Sequence, residues 1–147
     1  MNHPAWIVWH TAAHGHDDVD FDTTAVEINA WHIERGWNGI GYHYVIRKDG
    51  RLEYGRDEST PGAHVQGYNK KSIGICFSGH GDIKPLTPDQ LYAGLALTKK
   101  LLKKYGLPID RVVGHRELPN VHKTCPGTKV DMDQIRDLLE QEVKDNV

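Results

Sequence analysis

Hydrophobic residues occur along the chain in short blocks whose spacing changes between that of strands and that of helices. Ala5–Trp9 and Ser72–Phe77 are continuous apolar runs, which are typical of buried strands. Tyr42–Tyr54 contains two alternating runs on either side of Asp49-Gly50, and this pattern predicts a β-hairpin. A further short strand is predicted at Arg111–Gly114. The chain should therefore contain at least five strands.

Three other segments have the spacing and end signals of helices. Thr24–Arg35 opens with Thr followed three residues later by Glu, and a glycine follows the segment. Thr87–Tyr105 opens with Thr-Pro-Asp-Gln and is also followed by a glycine. The last helix is predicted over roughly Met132–Val143. Strands interspersed with helices predict the α/β class, with a mixed central β-sheet flanked by helices in one domain over residues 1–147.

Composition excludes several classes of protein. The chain has 147 residues, and 18 basic residues against 20 acidic ones give a net charge of -2, which argues against a basic nucleic-acid-binding domain. The sequence contains no run of about 18 apolar residues, so we expect no membrane insertion. The segment Met1–Thr11 has no basic n-region or small-residue cleavage site, so we expect no signal peptide and a cytoplasmic location. Nothing in the sequence demands more than a monomer.

Ten histidines and two cysteines direct attention to metal binding. His10 follows the first predicted strand, His115 follows the short strand at Arg111–Gly114, and Cys125 lies in the Pro/Gly-containing loop beyond it. Two imidazoles and one thiolate would fill three tetrahedral positions of Zn²⁺ and leave the fourth for water, as in a catalytic site. Cys76, inside an apolar run, is interpreted as a small buried hydrophobe, and a Cys76–Cys125 disulfide is not expected in the cytoplasm.

The residues alone leave two other interpretations of these histidines open. They could be structural histidines with satisfied hydrogen bonds. Alternatively, His122 could join His115 and Cys125 in a closed structural zinc site, with His10 as the fourth ligand. A closed coordination shell would leave no position for water and would abolish hydrolysis.

A series of short motifs runs in order through nearly the whole chain. These motifs are Trp31-His32, Gly36-Trp37, Gly41-Tyr42-His43-Tyr44, Asp49-Gly50, Gly62-Ala63-His64, Gly67-Tyr68-Asn69, Ser72-Ile73-Gly74-Ile75, Gly114-His115-Arg116 and Cys125-Pro126-Gly127. With them, the sequence resembles the zinc-dependent N-acetylmuramoyl-L-alanine amidases that share a fold with peptidoglycan recognition proteins. The resemblance is greatest to the small phage lysozymes of the amidase type, which are endolysins.

The resemblance implies a metal and a set of site residues. It assigns one Zn²⁺ per chain to His10, His115 and Cys125. It assigns catalytic roles to Tyr42, which follows a glycine at the head of the hairpin, and to Lys123, two residues before the cysteine.

The expected roles of the two catalytic residues differ. An unperturbed phenol has a pKa of about 10 and is a poor base at neutral pH, so Tyr42 is expected to orient water or the intermediate by a hydrogen bond. Lys123 is expected to stabilise the oxyanion of the tetrahedral intermediate by its charge. His64 and Asn69 are expected to bind substrate, and the segments 14–22 and 58–69 to form the walls of the groove.

The function implied is hydrolysis of the amide bond between N-acetylmuramic acid and L-alanine in bacterial peptidoglycan. As a phage endolysin, the protein would be made in the host cytoplasm and released to the cell wall. Three alternatives stay open: a peptidoglycan-binding module without catalysis, an additional role in binding a phage RNA polymerase, and a recycling amidase for soluble muropeptides. Relatives of the last kind use an acidic ligand where this chain has Cys125.

Several other residues receive simpler predictions. Glu117 could orient a ligand imidazole or pair with Arg116. Asp57 and Glu58 are interpreted as surface carboxylates, and no carboxylate pair suggests a glycosidase. The four tryptophans are expected to be core or half-buried packing residues rather than a platform for ligand stacking.

Overall fold

A five-stranded sheet runs through the computed structural model, which describes residues 4–12 and 20–145. In chain order the strands are β1 (Trp6–Thr11), β2 (Tyr44–Ile46), β3 (Leu52–Tyr54), β4 (Ser72–Phe77) and β5 (Val112–Gly114). They lie in the order β3-β2-β4-β1-β5. The hairpin strands β2 and β3 are antiparallel, and each other neighbouring pair is parallel. The predicted mixed sheet is therefore confirmed.

Three helices flank the sheet: α1 (Ala25–Glu34), α2 (Pro88–Tyr105) and α3 (Met132–Asp145). The first two begin with the predicted capping boxes, in which the side chains of Thr24 and Thr87 accept hydrogen bonds from the backbone three residues later. No helix in the described part of the chain is long and apolar enough to cross a lipid bilayer.

Alternation along β1 sends its side chains to opposite faces of the sheet. Ile7 and Trp9 belong to the larger core cluster, which includes Leu101 of α2 and Leu139 of α3. The indole Nε1 of Trp9 donates a hydrogen bond to Thr98 on α2 over 3.1 Å. The opposite face is covered in part by α1, and this leaves room for a cleft beside that helix.

The register of the sheet determines which residues meet at its edge. Trp9 of β1 pairs with Gly114, the last residue of β5, so that His10 on β1 lies beside His115, which directly follows the end of β5. On the other side of β1, His10 pairs with Cys76 of β4. Carboxyl ends of parallel strands are the usual place for a functional site in an α/β sheet.

Two predictions about chain segments need comment. The first strand reaches Thr11, so His10, at which the predicted strand ends, lies within the strand and is paired with Cys76 of β4. Of the segment 14–22 that was predicted to form a groove wall, residues 14–19 lie outside the described residues.

Candidate active site

The structure brings the three predicted metal ligands together. A donor atom from each of His10, His115 and Cys125 lies within 4.8 Å of the other two. Nδ1 of His10 lies 3.6 Å from Sγ of Cys125. His10 is almost completely buried, with 1% of its surface exposed. These residues therefore form a compact group of nitrogen and sulfur donors.

Cys125 reaches this group through contacts of its loop with the strand ends. The backbone amide of Arg116 donates to the carbonyl oxygen of Cys125 over 2.7 Å. The hydroxyl of Thr11 donates to the carbonyl oxygen of Pro126 over 2.8 Å. Since Thr11 follows His10 and Arg116 follows His115, each histidine has a neighbour that holds the cysteine loop.

The guanidinium of Arg116 binds the same loop from the other side. It donates to the carbonyl oxygens of Thr124, Gly127 and Val130 over 3.2, 2.6 and 2.5 Å. One charged side chain therefore satisfies three backbone acceptors in a segment that has no helix or strand to do so.

Burial determines the protonation of the candidate ligands. It lowers the pKa of His10 well below the usual value, and the neighbouring charges of His64, His115 and Lys123 add to this effect. Burial, assisted by the Lys123 charge, lowers the pKa of His115 to about 4. Burial also raises the pKa of the Cys125 thiol to about 11. Without a metal, the site at neutral pH holds two neutral imidazoles and one protonated thiol.

The donor set fits a zinc ion. Nitrogen and sulfur donors at ordinary zinc bond lengths in a tetrahedral arrangement lie about 3.6 Å apart, which matches the separation between His10 and Cys125. Neutral imidazoles have the lone pair that a metal requires. His122 is exposed and is not part of this donor group, so the structure gives no support to the closed four-ligand site.

A cleft of about 380 Å³ opens beside the donor group, and both predicted catalytic residues line it. The ring of Tyr42 lies 5.0 Å from that of His10, measured between ring centres. Burial raises the pKa of Tyr42 well above its usual value, with further contributions from Cys76 and Cys125. Its phenol is therefore a hydrogen-bond donor at neutral pH. Lys123 is exposed at the rim of the cleft.

His64 lines the cleft as predicted, but both of its ring nitrogens are engaged within the protein. Nδ1 lies 2.8 Å from Nε2 of His10, and Nε2 lies 3.0 Å from the hydroxyl of Ser72. Asn69 does not line the cleft. Its side-chain oxygen accepts hydrogen bonds of 2.9 Å from the backbone amides of His64 and Val65. Asn69 thus positions the loop that carries His64.

Other cleft residues were not predicted from the sequence. They are Trp31, Arg35, Trp37, His80 and Asp82. His80 follows the carboxyl end of β4, and the strand-end reasoning that identified His10 and His115 could have identified it too. Trp37 is 38% exposed in the cleft and its ring lies 4.5 Å from that of His32, so this tryptophan is half-buried.

Two carboxylates differ from their predicted surroundings. Glu117 pairs with Arg136 over 2.8 Å and accepts from the backbone amide of Gly114, instead of pairing with Arg116. Glu117 therefore stabilises the turn that begins at His115. Glu58 is not a simple surface carboxylate, because it accepts hydrogen bonds from the side chains of Tyr44, Lys104 and Tyr105.

Comparison with known proteins agrees with this geometry. Residues 1–128 match the N-acetylmuramoyl-L-alanine amidase family. The chain is 42% identical over 106 residues to the endolysin of Escherichia phage T7, covering 69% of this chain and 68% of that protein.

Solved structures with the same fold include an amidase and a peptidoglycan recognition protein. N-acetylmuramoyl-L-alanine amidase LysC from Clostridium intestinale superposes with a TM-score of 0.84 at 33% identity, over 95% of this chain and 87% of the other. A mutant of Drosophila PGRP-LB in complex with tracheal cytotoxin superposes with a TM-score of 0.77 at 26% identity, over 92% of this chain and 81% of the other. We conclude that this chain belongs to the N-acetylmuramoyl-L-alanine amidase family.

Proposed function

We propose that this amidase is zinc-dependent and holds one Zn²⁺ with His10, His115 and Cys125. The observation that carries the proposal is the convergence of their three donor atoms within 4.8 Å at the wall of a cleft. Two nitrogens and one sulfur would fill three of the four positions that zinc usually offers and leave one open, as in catalytic sites.

The reaction adds one water molecule across the amide bond that joins N-acetylmuramic acid to L-alanine. A zinc ion bound at this site supplies Lewis-acid polarisation of the scissile carbonyl and makes water more acidic. Tyr42, which keeps its proton at neutral pH, donates a hydrogen bond that orients the attacking water or the developing oxyanion. It does not act as a free base, because burial disfavours its phenolate.

Lys123 stabilises the negative charge that develops on the carbonyl oxygen. The Lys123 charge is close enough to the candidate zinc ligands to help lower the pKa of both His10 and His115, which supports a role beside the metal. Its exposed stem allows the ammonium group to approach the substrate when the cleft is filled. Preorganised charge near a developing oxyanion is usually worth about 3–4 kcal/mol of barrier.

The proposed substrate is bacterial peptidoglycan, and the proposed biological role is that of an endolysin. Two observations support this substrate: the 42% sequence identity to a phage endolysin and the open cleft, which a long peptidoglycan strand could enter. We further propose that the protein acts as a monomer, is made in the host cytoplasm and acts after release to the wall.

Digestion of purified peptidoglycan tests the proposal. We expect new L-alanine amino termini, identified by mass spectrometry, which disappear when a chelator removes the metal and return when zinc is added. Cleavage that continues at full rate in the metal-stripped protein would falsify the zinc dependence. The same digest identifies the cleaved bond, because a glycosidase would release reducing sugar ends.

The three alternatives give different results in direct assays. A binding module would retain peptidoglycan in a pull-down without releasing amino termini, even when loaded with zinc. A recycling amidase would cleave soluble muropeptides and leave intact wall untouched. A pull-down with the phage RNA polymerase tests the additional regulatory role.

A further inference from the structure

A chain of hydrogen bonds leads from the candidate metal site into the protein. Nε2 of His10 lies 2.8 Å from Nδ1 of His64. Nε2 of His64 lies 3.0 Å from the hydroxyl oxygen of Ser72. That hydroxyl lies 2.8 Å from the carbonyl oxygen of Tyr68. At the other end of this chain, Nδ1 of His10 faces Sγ of Cys125.

The position of each proton follows from the contact with Tyr68. A carbonyl oxygen cannot donate, so the single proton of the Ser72 hydroxyl must point to Tyr68 for that contact to be a hydrogen bond. The hydroxyl can then only accept from His64, which places a proton on Nε2 of His64. In a neutral ring the other nitrogen is bare, so Nδ1 of His64 accepts a proton from Nε2 of His10.

We propose that Ser72, acting through His64, holds His10 in the tautomer whose Nδ1 is bare and ready to bind a metal. The inference rests on the proposed zinc function and adds the residue that prepares one ligand for it. Ser72 is a positioning residue, since it is neither one of the metal donors nor a residue that lines the cleft. Partners of this kind fix the orientation and tautomer of ligand imidazoles in metal sites.

Packing keeps the His64 ring in the position that this chain requires. A methyl group on Gly74 would approach the ring to 2.8 Å, and one on Gly62 would approach it to 2.6 Å. Both glycines therefore leave the space that the ring occupies. The Asn69 side chain accepts a hydrogen bond from the backbone amide of His64 and so fixes its backbone. Ser72 is fully buried in β4. These contacts together fix the position of the His64 ring.

The orientation of the thiol agrees with the inferred tautomer. Sγ of Cys125 lies 3.6 Å from Nδ1 of His10, so the thiol S–H can donate to a bare Nδ1.

Nitrogen-15 NMR of the metal-free protein tests the proposal directly. We expect both His10 and His64 to carry their proton on Nε2, as read from the cross-peak pattern between ring nitrogens and ring carbon-bound protons. A proton on Nδ1 of His10 in the wild-type protein overturns the inference. This measurement needs no variant and no metal.

Ser72→Ala provides the second test. Without the hydroxyl, Nε2–H of His64 loses its acceptor, so the opposite tautomer becomes favourable and its Nδ1–H donates to His10. We expect the His10 proton to move to Nδ1 and zinc affinity to fall about 10- to 100-fold, measured by competition with a chelator. Ser78→Ala is the matched control, since Ser78 is also buried and donates to a backbone carbonyl, that of Thr23.

The outcomes separate this inference from the proposed zinc function. Failure of the wild-type protein to bind zinc would refute the function, while the tautomers of the metal-free protein would still be measured. Zinc binding by the wild type with unchanged affinity and tautomer in Ser72→Ala refutes the inference alone. If Ser72→Ala does not fold, the wild-type spectrum decides.

Discussion

The backbone amide of Arg116 donates a hydrogen bond of 2.7 Å to the carbonyl oxygen of Cys125. This contact joins two candidate ligands, because Arg116 is the residue after His115. The chain between them has no regular secondary structure beyond one 3₁₀ turn. The position of the thiol therefore depends on hydrogen bonds to the backbone, and not on a helix or strand that carries it.

Removing the Arg116 side chain should loosen the cysteine loop. Arg116→Ala leaves three carbonyl oxygens without their charged donor, so we expect the free energy of unfolding to fall by about 2 kcal/mol or more. Zinc affinity should fall as well, because the loop carries one ligand. Urea unfolding of the metal-free protein and chelator competition measure the two effects. Arg51→Ala, at an exposed hairpin arginine, should change neither, and equal losses in both variants would contradict the prediction.

Cys125→Ala should abolish tight zinc binding and activity. The substitution removes the sulfur donor and leaves two imidazoles, which hold zinc weakly on their own. Metal content after dialysis gives the result. Cys76→Ala is the matched control, since Cys76 is a free, fully buried cysteine outside the donor group and should retain one zinc per chain. Full metal content in Cys125→Ala would show that the ligand assignment is wrong.

Tyr42→Phe should keep zinc and lose most turnover. The phenyl ring preserves the packing but cannot donate the hydrogen bond that we assign to the phenol, and loss of one such donor typically costs about 10²–10³ in rate. Release of amino termini from peptidoglycan measures the rate. Tyr92→Phe, at a tyrosine that is 75% exposed on α2, should leave the rate unchanged. A Tyr42→Phe enzyme with the wild-type rate would remove Tyr42 from the mechanism.

Lys123→Ala should also keep zinc and lose activity by a similar factor. Because the side chain is exposed, its removal should leave the free energy of unfolding nearly unchanged. The rate loss should appear mainly in kcat, since the charge acts on the oxyanion that develops during the reaction. Lys129→Ala, at another exposed lysine of the same loop region, is the control for the loss of charge. An effect confined to KM would instead indicate a role in substrate binding.

Zinc binding should release one proton per ion near pH 7. Burial lowers the pKa of His10 and brings that of His115 to about 4, so both imidazoles are already neutral. Burial raises the pKa of Cys125 to about 11, so its thiol must lose a proton to bind. The apparent affinity should therefore rise about tenfold for each pH unit above neutrality. Calorimetry in buffers of different ionisation enthalpy counts the protons. At a pH too low to ionise a zinc-bound water, release of two or three protons would mean that the histidines are charged in the metal-free protein.

The sequence alone predicted the helices and strands and most of the candidate site residues. Capping patterns at Thr24 and Thr87, alternation in the hairpin and apolar runs report on contacts within a few residues, so they were readable without a fold. Strand ends marked His10 and His115, because a side chain at the carboxyl end of a parallel strand meets those of its neighbours. The ordered motifs then connected Cys125, Tyr42 and Lys123 to one family.

Only the tertiary structure decided how these residues are held. The clamp of Arg116 on the cysteine loop, the pairing of Glu117 with Arg136 and the hydrogen bonds of Ser72 to His64 all join segments through side chains. The spacing of residues along the chain does not predict such contacts. Each contact joins different segments of the chain and depends on how the folded segments lie relative to one another. For the same reason the sequence identified His10 as a candidate ligand, whereas the tautomer that lets it bind a metal follows from the fold.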